Sequence, residues 1–298
     1  MKIQYKADLA LLGVTMAWGL SYIMSKSSLD ILSTFNFLSI RFLIAAGASI
    51  LLYLKRFKAI DKDTIKYGSI TGFMMFLGYA IQTIGLNYTT ASKSAFIIGF
   101  CVVLVPLFSS LFLKKIPKIS SLVGVVLALI GLALLTLDGS LRLNVGDGLT
   151  FISTFCFAFY MLMISNYAPR VDIINFAIVQ IGVVALLSTF ITFLMEQPII
   201  PTGTGIWFDI LFLSLICTAG AFLIQNAAQK HTSATHTALI FSGEPVFAAI
   251  CGYFMLGEVL KTQGMVGSIL ILMGILISEI DFKIGSLKTR EVPQENTQ

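Results

Sequence analysis

Charged side chains are scarce in this sequence, since Asp, Glu, Lys and Arg together account for only 12% of its 298 residues. Hydrophobic residues account for 57%, and the mean hydropathy is +0.91. A water-soluble domain needs a polar surface and cannot accommodate this composition. A helix that spans a bilayer, in contrast, consists of about 20 mostly apolar residues. The composition therefore excludes a soluble globular protein and predicts an integral membrane protein.

Residue types that build metal and catalytic sites are also few. The only histidines, His231 and His236, are five residues apart, a spacing that does not place both on one helical face. The four cysteines lack metal-ligand spacing and lie in apolar segments as small packing residues: Cys101, Cys156, Cys217 and Cys251. No Gly-x-Ser-x-Gly elbow, Walker-type loop or His-Glu-x-x-His motif occurs. We expect no enzyme, no bound metal or cofactor, and no disulfide framework.

Apolar runs long enough to cross a bilayer occupy nearly the whole chain. They predict ten spans, at about 7–25, 35–54, 67–86, 94–113, 120–137, 146–165, 173–194, 208–229, 235–256 and 263–280. The first run is too long for a secretory signal, and no clear cleavage site follows it. The predicted fold class is therefore all-α integral membrane.

The net charge of +5 reflects membrane topology. With ten spans, the segments on the N-terminal side of the membrane hold 15 Lys and Arg residues, the opposite loops hold 4, and Arg41 lies within a span. This asymmetry follows the positive-inside rule, which places both termini in the cytoplasm. We therefore predict a multi-pass protein whose basic residues do not bind nucleic acid.

The sequence repeats itself at one constant offset. Residues 89–95 return as residues 232–238, and the same ungapped offset aligns further pairs: Gln82 with Gln225, Lys118 with Lys261, Gly124 with Gly267, and Gly131 with Gly274. Each copy holds five spans, and an odd number turns the second copy upside down, as in many secondary transporters. We predict two inverted five-helix repeats at 1–140 and 141–281, and a disordered cytoplasmic tail at 282–298.

Glycine and proline mark special positions within the spans. The fifth and tenth spans carry the repeat-matched glycines and no charge in their middles, so we expect both spans at the periphery, against lipid or in a homodimer contact. Pro106 and Pro245 are predicted to bend the fourth and ninth spans, because proline interrupts the helical hydrogen bonds.

Two charged residues within spans are the sharpest candidates for function. Glu244 lies near the predicted bilayer midplane, where a carboxylate costs roughly 2.5–3.5 kcal/mol on insertion scales. It could bind an amine, exchange a proton, or accept hydrogen bonds from a neighbouring helix in a structural role. Arg41 could bind a substrate carboxylate, pair with Glu244, or extend to the outer surface.

Polar and aromatic residues in other spans complete the candidate substrate-binding set. Amide side chains in the spans are Gln82, Gln180, Gln225 and Asn226. Aromatic residues that could wall a cavity are Trp18, Tyr22, Tyr79 and Tyr160. For each aromatic residue, packing against lipid or another helix is the alternative. The predicted substrate-binding residues are Glu244, Arg41, Trp18, Tyr22, Tyr79, Gln82, Tyr160 and Gln225.

Several short motifs occur in an order that resembles one transporter superfamily. They are Ala17-Trp18-Gly19-Leu20-Ser21, Arg41-Phe42, the two Thr-x-Ala-Ser/Thr turns, and Glu244-Pro245 through Leu256-Gly257-Glu258. The chain resembles the drug/metabolite transporter superfamily, specifically the EamA-type ten-span permeases. It departs from the family pattern after the fourth span, where Lys114-Lys115 replaces the usual Gly-Glu.

The resemblance implies a carrier in a bacterial inner membrane that moves small organic solutes by alternating access. It also implies a central cavity among spans one to four and six to nine, with spans five and ten outside. We therefore predict a secondary transporter, an exporter or exchanger of small metabolites such as amino acids or amines. A flippase for lipid-linked solutes is the alternative, and a membrane sensor that binds without transport is a more distant one.

Overall fold

The computed structural model describes residues 2–114, 117–136, 144–256 and 262–278. Its regular elements over these residues are all helical. The first half contains α1 (Lys2–Leu29), α2 (Thr34–Leu52), α3 (Leu54–Phe57), α4 (Lys62–Tyr88), α5 (Ala91–Gly99), α6 (Cys101–Leu113) and α7 (Ile119–Thr136). The second half contains α8 (Val145–Tyr167), α9 (Ile173–Met195), α10 (Thr204–Ser214), α11 (Ala221–Gln229), α12 (Ala234–Phe241), α13 (Glu244–Leu256) and α14 (Thr262–Ser278).

These helices account for the ten predicted spans. Over the described residues, seven helical segments are long and apolar enough to cross a membrane, among them α5 with α6, and α10 with α11. The helices α7 and α14 are shorter apolar helices, and α12 with α13 forms the ninth span. The prediction of an all-α membrane protein is confirmed. The predicted tail at 282–298 and the Gly257-Glu258 end of the family motif lie outside the described residues.

The fourth and ninth spans are each broken into two helices at equivalent places. The first break falls at Phe100 and the second at Ser242 and Gly243, and the repeat offset aligns Phe100 with Gly243. Pro106 lies inside α6, whereas Pro245 is the second residue of α13, where its missing N–H removes no helical hydrogen bond. The break in the ninth span therefore precedes the proline instead of being a kink around it.

The eighth span is interrupted in a different way. A six-residue π-helical segment, Leu215–Gly220, lies between α10 and α11. Such wide turns are rare and occur frequently at functional sites. In this protein the π segment positions Thr218, which contacts the candidate site.

Helices α7 and α14 pack against each other through their matched glycines. A Cβ atom on Gly124 would lie 2.5 Å from the Gly274 carbonyl oxygen, and one on Gly131 would lie 2.5 Å from that of Gly267. Each glycine therefore meets the repeat mate of the other, as a two-fold axis between inverted halves requires. The outer faces of both helices carry exposed Val126, Ile130 and Ile269, so the pair lies at the periphery as expected. The glycines themselves form the contact between α7 and α14 within a single chain.

The bundle is closed near one face of the membrane. We call the face at which α1 begins the N-terminal face, which the charge distribution predicts to be cytoplasmic, and the other the opposite face. Near the N-terminal face, apolar side chains of α1, α8, α11 and α12 form a buried cluster, here the closing cluster: Ala7, Leu11, Val14, Ala158, Met161, Leu162, Ala228, Ala234 and Ala238. The candidate site lies directly beside this cluster.

Candidate substrate-binding cavity

A cavity of about 820 Å³, counted with its opening, lies among helices of both halves. Its lining comes from α1, α2, α4, α8 and α11 and from the breaks in the fourth and ninth spans. All eight residues predicted from the sequence line it: Trp18, Tyr22, Arg41, Tyr79, Gln82, Tyr160, Gln225 and Glu244. The structure brings them together in one place, and their binding of a substrate stays a prediction.

Glu244 sits where the ninth span is broken. It is the first residue of α13 and its side chain is 6% exposed. The Tyr22 hydroxyl donates a hydrogen bond to Glu244 Oε2 at 3.1 Å, and Gln82 Nε2 donates to the Tyr22 hydroxyl at 3.4 Å. The absence of a side chain at Gly19 lets α1 come this close, because a Cβ there would lie 2.8 Å from the Glu244 carbonyl oxygen. Side chains from both halves thus form one polar chain.

Arg41 is fixed in the cavity wall and does not extend to the surface. Its side chain is 3% exposed, and its Nε donates to Thr218 Oγ1 at 2.8 Å. Its guanidinium carbon lies 5.4 Å from the ring centre of Tyr79 and 5.7 Å from that of Phe42, within the range of cation–π attraction. The π-helical segment therefore contributes directly to the site, because Thr218 lies in it.

The cavity holds an acid and a base that do not neutralise each other. Among the ion pairs of the described residues, none joins Arg41 to Glu244. The direct pairing considered from the sequence is therefore not formed in this conformation. A buried charge without a counter-charge is expensive, so each group is suited to a charged or strongly polar partner from a ligand.

Aromatic rings wall the space between the polar groups. Trp18 donates from Nε1 to the Cys217 carbonyl oxygen at 2.7 Å, and its ring packs against Phe222 and Phe241 with centre distances of 5.3 and 4.9 Å. Tyr79 packs edge-on against Phe157 at 5.4 Å. These rings are held by several neighbours at once, which gives the cavity a preformed shape.

The amide side chains divide into two groups. Gln225 is 1% exposed, and neither its Oε1 nor its Nε2 has a hydrogen-bond partner among the described residues. Gln180 and Asn226 do not line the cavity. They pair reciprocally behind Tyr160, with Asn226 Nδ2 3.1 Å from Gln180 Oε1, and the Tyr160 hydroxyl also donates to Gln180. Gln225 is therefore the cavity amide whose donor and acceptor atoms both lack a partner among the described residues, whereas Gln82 already donates to Tyr22.

Several lining residues do not stand out in the sequence. They are small or apolar and include Ser21, Ser25, Thr83, Cys101, Phe222, Phe241 and Ser242. Cys101 carries a usable signal, because the repeat offset aligns it with Glu244. The others resemble ordinary packing residues of a span, and no sequence pattern separates them from the rest.

The cavity lies nearer to the opposite face. Ser25 and Leu86 belong to the last turns of α1 and α4, which end at that face, and both line the cavity. In the other direction, Ala238 and Met161 belong both to the lining and to the closing cluster. The space is therefore sealed toward the N-terminal face and extends toward the opposite one.

Comparison with known proteins gives one consistent result. The sequence profile of the EamA-like transporter family matches residues 5–137 and again residues 144–279. An uncharacterized transporter of Archaeoglobus fulgidus is 33% identical over 272 residues, covering 91% of this chain and 85% of that protein. The uncharacterized transporter YyaM of Bacillus subtilis is 25% identical over 294 residues, covering 94% and 96%. One solved crystal structure shares the fold, with a TM-score of 0.77 at 16% identity over 92% of this chain and 96% of the other.

Proposed function

This chain belongs to the EamA-like transporter family and is a multi-pass membrane transporter, and from that premise we propose that it carries small zwitterionic metabolites, with amino acids foremost, by alternating access. The observation that carries this proposal is that the carboxyl group of Glu244 and the guanidinium of Arg41 line one cavity without pairing with each other. An amino acid presents an ammonium and a carboxylate group, which are the natural partners of these two side chains. One substrate could thus pair with both buried groups at once, with Glu244 in its ionised form.

The remaining cavity groups suit the rest of such a substrate. The aromatic walls offer apolar surface for a side chain, and Gln225 offers one acceptor and two donors. Tyr22 occupies one oxygen of the Glu244 carboxylate, which leaves the other for an ammonium group. A simple amine would satisfy Glu244 but not Arg41, so we rank amines below amino acids.

The energy source of transport depends on whether Glu244 exchanges a proton during the cycle. If Glu244 takes up a proton when the substrate leaves, transport is coupled to protons and its rate depends on pH. If Glu244 stays ionised throughout, the carrier works by facilitated diffusion or exchange. We propose export or exchange across a bacterial inner membrane with both termini in the cytoplasm, as the distribution of Lys and Arg indicates.

Proteoliposomes loaded with buffer and incubated with a mixture of amino acids, amines, nucleosides and sugars test the proposal. The compounds retained are identified by mass spectrometry, with protein-free vesicles as the control. We expect enrichment of one or more amino acids. Enrichment of sugars or nucleosides alone would contradict the zwitterion proposal. Retention of nothing, by protein that is folded and incorporated, would contradict it too and would favour the flippase for lipid-linked solutes.

A further inference from the structure

Two acid–base contacts lie near opposite ends of the bundle. Near the N-terminal face, His236 Nε2 lies 3.2 Å from Asp8 Oδ1. Toward the opposite face, Lys93 Nζ lies 3.7 Å from Asp147 Oδ2. Asp8 and Asp147 lie near the beginnings of α1 and α8, the first helices of the two halves. Each contact therefore joins the first helix of one half to a broken span of the other half.

The two bases occupy equivalent positions of the repeat. The repeat offset aligns Lys93 with His236, and each is the third residue of its helix, α5 or α12. The residues that cap these helices, Thr90 and Ser233, are aligned as well, and each accepts a hydrogen bond from the backbone N–H of the base. The inverted repeat has thus built the same kind of contact twice, once near each face.

The two contacts differ in how firmly they are closed. His236 and Asp8 have side chains 7% and 14% exposed and adjoin the closing cluster. The Lys93 side chain is 37% exposed, while the Asp147 carboxylate already accepts from the Thr89 hydroxyl and the Asn144 backbone N–H. The tighter contact is at the face where the cavity is sealed, and the looser one is at the face toward which it extends.

Two buried amides lead from the cavity to the sealed face. Gln225 lines the cavity, and Gln229 follows one helical turn later in α11, 2% exposed, at the end of the helix that reaches the N-terminal face. Over the described part of the chain, neither Oε1 nor Nε2 of either glutamine has a hydrogen-bond partner. Buried polar groups normally find partners, and here water or substrate would supply them once the closing cluster opens.

We propose that Asp8–His236 and Lys93–Asp147 are the two gate contacts of the transport cycle, and that Gln225 and Gln229 line the route that opens when Asp8 and His236 separate. The proposal rests on alternating access as the proposed function. Rocking of two inverted halves about a central site breaks contacts between the halves at one face while it forms those at the other. In the present conformation the Asp8–His236 gate is closed, and the Lys93–Asp147 contact is also formed, although it is longer and more exposed.

Site-directed labelling of cysteines tests this without a known substrate. In a background with Cys101, Cys156, Cys217 and Cys251 replaced by alanine, one reporter is Gln229→Cys and the other is Ser25→Cys, near the opposite face. A membrane-impermeant maleimide is applied to inside-out vesicles for the first reporter and to right-side-out vesicles for the second. The measured quantity is the rate of labelling of each reporter.

Breaking one gate should change the two reporters in opposite directions. We expect Asp8→Asn or His236→Gln to raise labelling of Gln229→Cys at least about fivefold and to lower labelling of Ser25→Cys, because the population shifts toward opening at the N-terminal face. Lys93→Gln should do the reverse. Exchanging the partners, Asp8→His with His236→Asp, should restore the original rates.

Other outcomes would overturn the proposal. A rise in labelling of both reporters would mean that the contact only holds the fold together, and unchanged rates would mean that it holds nothing closed. Arg56→Gln is the matched control, because it removes an exposed 3.9 Å contact with Asp172 at the N-terminal face and should leave both rates unchanged. Labelling does not require transport, so opposite shifts without uptake of amino acids would reject the substrate class and keep the gates.

Discussion

The two halves of the bundle share a backbone plan but present different side chains to the cavity. Both broken spans begin after a capping hydroxyl and break at equivalent residues, yet Glu244 of the second half is matched by Cys101 of the first. Gln225 has no partner among the described residues, while its mate Gln82 donates to Tyr22. Symmetry of the backbone suits a motion that must run in both directions, whereas asymmetry of side chains suits a substrate that has no symmetry.

The largest expected effect comes from comparing Glu244 with its repeat mate. We expect Glu244→Gln to lower uptake about 100-fold and to abolish any dependence on pH, because the substrate ammonium loses its counter-charge. Cys101→Ser should change uptake by less than about threefold, since serine keeps the small size of this lining residue and can donate the hydrogen bond that the thiol makes to the Thr154 carbonyl oxygen at 3.5 Å. Initial rates in proteoliposomes measure both. Equal losses from the two variants would show that the cavity works symmetrically, against the proposed role of Glu244.

The next comparison concerns the contact between α7 and α14, where the halves are most alike. Gly131→Ala and Gly274→Ala should each destabilise the protein by about 1–3 kcal/mol, because a Cβ would overlap backbone atoms at 2.5 and 2.6 Å. Since the two glycines are repeat mates, the two losses should be similar. Thermal unfolding in detergent measures them.

Gly13→Ala provides the control for both variants. No atom lies within 4 Å of a Cβ built on Gly13, which is in the middle of α1. This substitution should leave the melting temperature unchanged or slightly raised, since alanine favours the helix over glycine. A strong loss at only one of the two glycines of the contact would argue against a two-fold relation between these helices.

A smaller effect separates the two glutamines. Gln225→Leu should raise the melting temperature by a few degrees while it lowers uptake severalfold, because it removes two buried polar atoms that have no partner among the described residues and also a group offered to the substrate. Gln82→Leu should lower the melting temperature slightly, because its bond to Tyr22 is lost. Thermal unfolding and uptake, both measured for each variant, distinguish a role in packing from a role in substrate binding. If Gln225→Leu destabilises the fold, then Gln225 serves packing and not binding.

Much of the site could be predicted from the sequence, because polar and aromatic residues stand out in apolar spans. Glu244, Arg41 and Gln225 are recognisable for that reason, and the structure places all three around the cavity. Phe222 and Ser242 could not be identified, since phenylalanine and serine are equally common on faces that only pack. Whether a residue lines the cavity depends on the direction in which its helix face points. This direction cannot be derived from the sequence of a uniformly apolar helix.

The fold shows the same division between what the sequence reveals and what it does not. The repeat offset predicts the matched glycines, but not that Gly124 meets Gly274, because the partner of a helix is set by packing of the whole bundle. In the sequence, His236 stands out only beside His231, and their five-residue spacing argues against a metal site. Its actual partner, Asp8, lies in the first helix of the other half, and contacts between such distant segments leave no trace in one sequence.

The smallest expected effect distinguishes the beginnings of two equivalent spans. Asp61 caps α4 by accepting from the Thr64 backbone N–H and hydroxyl at 2.8 and 2.6 Å, and these bonds lower the pKa of its carboxyl. The corresponding helix of the second half, α10, is preceded by Gly203, which offers no side-chain cap. Because the pKa is lowered in the fold, the cap stabilises above the unfolded pKa of about 3.9 and is lost as the pH falls through the folded value. We expect Asp61→Asn to lower the melting temperature by about 1–2 °C at pH 7, with the difference from the unsubstituted protein shrinking in acid.

Gly203→Ala is strained at its φ of 123° and should lower the melting temperature equally at both pH values. A difference for Asp61→Asn that does not change with pH would mean that the cap acts through its shape and not through its charge.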